Sequence, residues 1–104
     1  MNRIKNLVQS EKSIQDSILK YLRSTYPTAV TFKIHEDPVF GAVGFPDIFF
    51  AWDGDVYLFE VKRVGEQLSP IQNVVMKKLR LNRVMAFMVT SIEEVHKIIN
   101  GPNA

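Results

Sequence analysis

Asp47, Glu60 and Lys62 stand in apolar company, and their types and spacing suit one piece of chemistry. An Asp53-Gly54 pair separates two β-prone runs, the strongest short hairpin signal a sequence offers. If those two residues form the turn, Trp52 faces Asp55, and counting outward sets Asp47 directly opposite Glu60. Opposed residues have Cβ atoms about 4.5–5.5 Å apart, where two carboxylates repel. A hard divalent cation converts that repulsion into coordination, because such ions take oxygen ligands. Glu60 and Lys62, two apart on one strand, point to the same face. A lysine beside a metal-held carboxylate pair can orient a water or stabilise charge developing on a phosphate. Plainer readings exist: Asp47 as a turn residue, Glu60 and Lys62 as a surface ion pair worth little. Three ionisable groups at the end of a core hairpin are costly unless they share a site, and Gly44-Phe45-Pro46 leading into Asp47 adds to that case.

The elements that must position these groups can be read along the chain. Ser10 is placed to cap a helix reaching about Tyr26, where Pro27 follows, with Ile14, Ile18 and Leu22 as its buried stripe. At about 100° per residue, Glu11 and Gln15 fall at the N-terminal end of the same stripe. Val30, Phe32 and Ile34 alternate with Thr31, Lys33 and His35, the pattern of a half-buried strand. A Pro- and Gly-rich loop from Glu36 to Phe45 leads into the two hairpin runs, Asp47 to Trp52 and Asp55 to Lys62. Ser69-Pro70-Ile71-Gln72 supplies a cap residue, a first-turn proline and a capping-box glutamine. It predicts a helix to about Leu81, with Asn82 as a left-handed stop. Val84 to Val89 is apolar on both faces and is expected inside the sheet. Ser91 and Glu94 read as another capping box, for a last short helix closed by Asn100-Gly101-Pro102. The order α-β-β-β-α-β-α, with a helical crossover between the third and fourth strands, predicts an α/β fold with a mixed sheet flanked by helices.

Length and composition set the outer limits. A chain of 104 residues is expected to form one domain over 1–104, with residues 1–9 as a flexible basic arm. A hydrophobic fraction of 46% excludes a disordered chain. The formal net charge of +2 and pI of about 9.0 are only mildly basic, so charge alone does not identify a nucleic-acid partner. The absence of cysteine excludes disulfides, thiolate metal sites and a cysteine nucleophile. No apolar run approaches the roughly 18 residues of a membrane span, and the charged N-terminus has no apolar stretch behind it. The expectation is a soluble, intracellular (cytoplasmic) protein with no membrane partner.

Pro46-Asp47 followed, after a hairpin, by Glu60-Val61-Lys62 is similar to the Pro-Asp…(Asp/Glu)-x-Lys signature of restriction-endonuclease-like nucleases. The longer pattern Gly44-x-Pro46-Asp47, Glu60-x-Lys62, Gly65-x-x-Leu68-Ser69-x-x-Gln72 resembles the virus-type replication-repair nuclease (VRR-NUC) family. The likeness runs from about Glu11 to Ser91 and follows that family's α-β-β-β-α-β core. It implies a metal-dependent DNA endonuclease in which Asp47, Glu60 and the Val61 backbone carbonyl hold Mg²⁺ or Mn²⁺. Lys62 would act on the attacking water or the transition state. Glu11 matches an acidic residue that such nucleases carry on the first helix, catalytic and a further candidate metal ligand, and Gln72 matches the family's glutamine. Minimal members of the family are thought to resolve four-way (Holliday) junctions, which implies branched DNA as partner and a homodimer with two sites. The alternatives are a monomeric nuclease acting on flaps, nicks or single strands, and a catalytically silent nucleic-acid-binding module.

Glu11 and Gln72 also have local explanations, as a first-turn glutamate favoured by the helix dipole and as the capping-box partner of Ser69. Lys33, Arg63, Lys77 and Lys78 are candidate DNA contacts, with Arg80 and Arg83 near them; a charged helix face is more often simply solvated. His35 and His96 have no partner at metal-ligand spacing, and His96 reads as a solvated helix residue. Phe40, Val43, Phe45, Phe49, Phe50 and Trp52 are more apolar bulk than one small sheet face readily hides, and are candidates for an isologous interface.

Overall fold

The computed structural model describes residues 9–35 and 43–104. Residues 1–8 of the basic arm, most of the loop before Phe45, and Phe40 lie outside these residues. Helix α1 (Glu11–Thr25) starts as the sequence predicts: the Ser10 hydroxyl accepts the Ser13 amide at 3.0 Å. It stops before Pro27, where the Tyr26 amide donates back to the Leu22 carbonyl at 2.9 Å. Strands β1 (Val30–Lys33), β2 (Ile48–Trp52), β3 (Asp55–Val61) and β4 (Met85–Val89) form one four-stranded sheet in the order β1-β2-β3-β4. The first three are antiparallel and β4 runs parallel to β3. Helix α2 (Pro70–Leu81) supplies the crossover that a parallel pair requires, and α3 (Ile92–Asn100) follows β4. The β2–β3 turn is the expected one, with positive φ at both Asp53 (50°) and Gly54 (84°).

Alternation along β3 sorts the core into two layers. Tyr57, Phe59 and Val61 face α1 and α3, where they pack with Ile18, Leu22, Phe50, Val89 and Val95. Leu58 faces the other way and packs with Met76 of α2 and Ala86. Each large side chain taken fully from water contributes about 1.5–3 kcal/mol, and Phe50, Phe59, Ile18 and Leu22 are all in that state. By parity Glu60 and Lys62 lie on the Leu58 side, that of α2.

Four expectations need correction. β4 lies at a sheet edge rather than inside; it is apolar on both faces because helices cover both. On β1 the residues expected to be buried are the open ones, Val30 at 56% and Phe32 at 44% exposure. Helix α2 packs over the β3–β4 half of its face, so Phe32 finds cover by stacking on Phe49, with ring centroids 4.8 Å apart and planes at 16°. The left-handed residue after α2 is Arg83 (φ 62°), not Asn82 (φ −93°), whose carboxamide instead donates to the Lys78 carbonyl at 2.9 Å. Ser91 does accept the Glu94 amide at 3.2 Å, but the Glu94 carboxylate reaches the Thr90 amide and hydroxyl, each at 2.6 Å, so the capping box is shifted by one residue.

Candidate active site

The β2–β3 ladder runs from Trp52 opposite Asp55 to Ile48 opposite Phe59, which leaves Asp47 one step beyond it, beside Glu60. The Asp47 amide donates to the Phe59 carbonyl at 2.9 Å, and its Oδ2 accepts the Val61 amide at 2.8 Å. Asp47 is thereby bonded to both chain neighbours of Glu60. Asp47 and Ile48 both lie against Phe59, the two-against-one arrangement of a β-bulge, and the carboxylate takes the place at Val61 that a further β2 residue would have. The N–H and C=O of one strand residue point to the same side, so the Val61 carbonyl opens toward Asp47 as well. The Asp47 carbonyl in turn accepts the Ile34 amide at 2.6 Å, which ties in the end of β1.

Glu60 is 2% exposed, so the reading of Glu60 and Lys62 as a surface pair fails. A carboxylate that deep demands a cation or several donors. Lys62 is half-buried, and its amide makes a bond to the Val89 carbonyl at 2.9 Å, immediately beyond the last paired residues of β3 and β4. The approach to Asp47 is fixed by Gly44, whose φ is +81°. A Cβ there would lie 2.9 Å from Ile71 Cγ1 and 3.2 Å from the Ile71 carbonyl carbon and oxygen, so only glycine lets this loop lie against the first turn of α2. That contact brings the Pro46–Asp47 segment and the start of α2 together. Gln72 completes the predicted cap: its Oε1 accepts the Ser69 amide at 2.9 Å while its own amide donates to Ser69 Oγ at 3.3 Å.

Glu11, the first residue of α1, reaches the same end of the sheet. Burial pushes its carboxyl above the usual range, aided by a hydrogen bond to Glu66 and the negative charges of Glu66 and Asp47, while Lys62 opposes the shift. Glu66 was not singled out in the sequence. Its Oε1 accepts the Arg63 amide at 2.6 Å and its Oε2 meets Arg63 Nη2 at 3.3 Å. The Arg63 amide first, then the guanidinium, hold Glu66 down at about 2. The spacing of Arg63 and Glu66 across a glycine-containing turn was the one local signal that could have found this pair. One turn along α1, Gln15 is 7% exposed, and its Oε1 has no hydrogen-bond partner among the described residues.

Comparison with known proteins bears on the fold. No protein-family model matches the chain, and no curated protein does. A solved structure described as a VRR_NUC domain matches with a TM-score of 0.66 and 23% sequence identity, over 81% of this chain and 91% of its own. The chain has the fold of a VRR_NUC domain. Within that VRR_NUC fold, Asp47, Glu60 and Lys62 stand where β3 ends, Glu11 lies within electrostatic reach of Asp47 and Lys62, and the Gly44–Ile71 contact sets the first turn of α2, which carries Gln72, against the loop before Asp47. Among the described residues no three Asp, Glu or His side chains converge as a cation-binding group.

The basic candidates are more scattered in this VRR_NUC fold. Lys33 lies opposite Ile48, and its charge helps lower the Asp16 carboxyl on α1, after that of Lys12, which places it on the α1 side of the sheet. The Arg63 guanidinium is held by Glu66. Lys77 and Lys78 are exposed, five and six residues along α2 from Gln72, about 8–9 Å at the helical rise. Arg80 is structural, its Nε donating to the Ala86 carbonyl at 3.0 Å. His96 is not merely solvated: its Nδ1 pairs with the Tyr21 hydroxyl at 2.8 Å. Of the aromatic residues expected at an interface, Phe50 is fully buried and Trp52 packs on the core.

Proposed function

We propose that the chain is a metal-dependent nuclease that hydrolyses phosphodiester bonds in DNA. The observation that carries this is the buried Glu60 flanked on both sides by bonds to Asp47, with Lys62 two residues on along the same strand face. The donor set fits Mg²⁺ or Mn²⁺: carboxylate oxygens of Asp47 and Glu60 and the Val61 carbonyl, with no nitrogen or sulfur among them. An ion held there supplies a lowered pKa for an attacking water and positive charge against the scissile phosphate.

The chain's own groups do the rest. The Val61 amide orients the Asp47 carboxylate through Oδ2 and leaves Oδ1 for a ligand. The bond to Val89 fixes the Lys62 backbone, so that its ammonium can hydrogen-bond the attacking water or neutralise charge on the phosphate oxygens. Glu11 stands within electrostatic reach of Asp47 and Lys62, and Gln72, with Oε1 engaged in the cap, keeps Nε2 as a donor.

A catalytic unit this small has little surface for reading sequence, which favours recognition of DNA shape. We further infer a homodimer acting on branched DNA, because two sites related by a twofold axis suit the two equivalent strands of a four-way junction. The support for an interface has moved from Phe50 and Trp52 to the open Val30, Phe32 and Val56. The test is cleavage of a panel of linear, nicked, flapped and four-way DNAs with and without Mg²⁺ and Mn²⁺, beside light scattering over a dilution series. Paired symmetric cuts in junctions by a dimer are expected. A monomer that prefers flaps or single strands rejects the junction assignment alone, and no cutting of any DNA rejects the nuclease.

A further inference from the structure

Helix α2 leaves the β1–β2 half of its sheet face open, and cross-strand register orders the residues there into rows. Val30, Ala51 and Val56 form the row nearest the hairpin turn; Phe32, Phe49 and Leu58 form the next. Asp47 and Glu60 follow on the same face, where the β2–β3 ladder ends. Leu58 packs against Met76 of α2, but the row opens toward β1, where Phe32 is 44% exposed although its ring stacks on Phe49. Because β1 is an edge strand and Phe49 lies on its inner side, the other face of the Phe32 ring looks outward. Phe49 is two residues from Asp47 along the chain, about 7 Å at the strand rise. From the other side, the Asp47 carbonyl accepts the amide of Ile34, two residues on from Phe32. The stacked pair thus stands one row from the carboxylates.

We propose that Phe32 is a base-stacking residue of this site: backed by Phe49, it receives an unpaired nucleobase of a DNA strand whose phosphate lies at Asp47 and Glu60. The proposal rests on the nuclease reading above and names its substrate class, a strand with a base free of its neighbours. Surface chemistry selects the occupant. The two outer rows carry no charged or hydrogen-bonding side chain, so they offer a phosphate nothing, whereas every base has a π-face that a phenyl ring accepts. Inside a duplex both faces of a base are covered, so only a base at a flap, a junction or an end can lie on the ring. The spacing agrees: about 7 Å along the strand is twice the about 3.4 Å of one stacked step, which puts that base one or two nucleotides from the phosphate. Stacking reads no sequence, in keeping with selection by DNA shape. Val30 and Val56, a row further out, remain for the contact between copies inferred above.

The experiment measures Kd by fluorescence anisotropy for wild type, Phe32→Ala and Phe32→Tyr, in EDTA and low salt so that nothing is cut. Two labelled probes of equal length are used: a single-stranded DNA of mixed sequence, and the same sugar-phosphate chain without bases. Phe32→Ala should weaken binding of the base-bearing strand by about 5–150-fold, the loss expected for one stacking ring, and leave the Kd of the abasic chain unchanged. Phe32→Tyr keeps the ring and should keep most of the affinity. In Mg²⁺ the alanine loss should reappear in KM for the best-cut DNA, with kcat nearly constant. Light scattering should give Phe32→Ala the oligomeric state of wild type. An unchanged Kd for the base-bearing strand in Phe32→Ala, an equal loss on the abasic chain, or a cleavage loss confined to kcat overturns the proposal. So does a dimer that Phe32→Ala dissociates, since a second copy then covers the ring, and so does a wild type that binds no single strand. A wild type that binds the strand but cuts no DNA fails the nuclease reading while the stacking stands. One that cuts DNA while Phe32→Ala loses nothing fails the stacking alone.

Discussion

Asp47 can be asked separately about structure and chemistry. Its Oδ2 accepts the amide of Val61, a residue with no exposed surface. Replacing Asp47 by alanine leaves that N–H in the interior without an acceptor, at a cost of about 1–3 kcal/mol. Asparagine keeps a carbonyl oxygen at the same reach and so keeps a neutral version of the bond. Both changes remove the same negative charge from beside Glu60, and any relief of repulsion cancels between them. Asp47→Ala should therefore be less stable than Asp47→Asn by about 1–3 kcal/mol, while neither should cut DNA. Urea unfolding followed by fluorescence of Trp52, the sole tryptophan, reads this out from the other end of the hairpin, where that ring packs on Tyr26. With a slope of about 1 kcal/mol per molar for a chain of this size, the midpoints should differ by about 1 M or more. An alanine variant as stable as the asparagine one would show that the Val61 amide does not depend on Asp47.

Lys62→Ala should abolish cleavage while leaving the urea midpoint and DNA affinity nearly unchanged; a near-normal cutting rate would make Lys62 structural. Gly44→Ala should cost about 2–4 kcal/mol, from the left-handed φ and the contact with the Ile71 backbone, and a midpoint close to wild type in urea would contradict it. Burial, reinforced by Tyr26, pushes the Tyr21 hydroxyl up to about 12. The folded state thus holds that proton more tightly than the unfolded state, so the stabilisation is complete below pH 10 and is lost as pH rises toward 12. Tyr21→Phe, which also gives up the bond to His96, should be less stable than wild type by about 1 kcal/mol near pH 8, with the gap closing above pH 10. A gap that stays constant in thermal melts from pH 8 to 12 would refute this.

What the sequence disclosed was local. The Asp53-Gly54 turn requires two positive φ values that few other pairs tolerate, so the register from Trp52 opposite Asp55 to Ile48 opposite Phe59 followed by counting. The Ser69–Gln72 cap was legible because both partners lie within one turn. The position of β4 was not, since helices over both faces give an edge strand the same apolar composition as an inner one. Alternation along β1 disclosed parity but not which side α2 would cover, and Val30 and Phe32 ended in the open. The bulge at Asp47 and the approach of Glu11 to the end of β3 depend on how distant segments dock, which no residue pattern along one segment encodes.

The bond from Lys62 to Val89 also sets an order of assembly. The carboxylate-bearing hairpin closes through a two-residue turn and is complete once Val61 has joined it, an event of microseconds for such a unit. The lysine's seat belongs to a parallel strand that can dock only after α2 has crossed over the sheet, a slower, non-local step. A nascent chain halted before Val89 thus carries a finished acidic hairpin and an unanchored lysine. On the proposed function, a complete centre therefore waits for the fourth strand to dock.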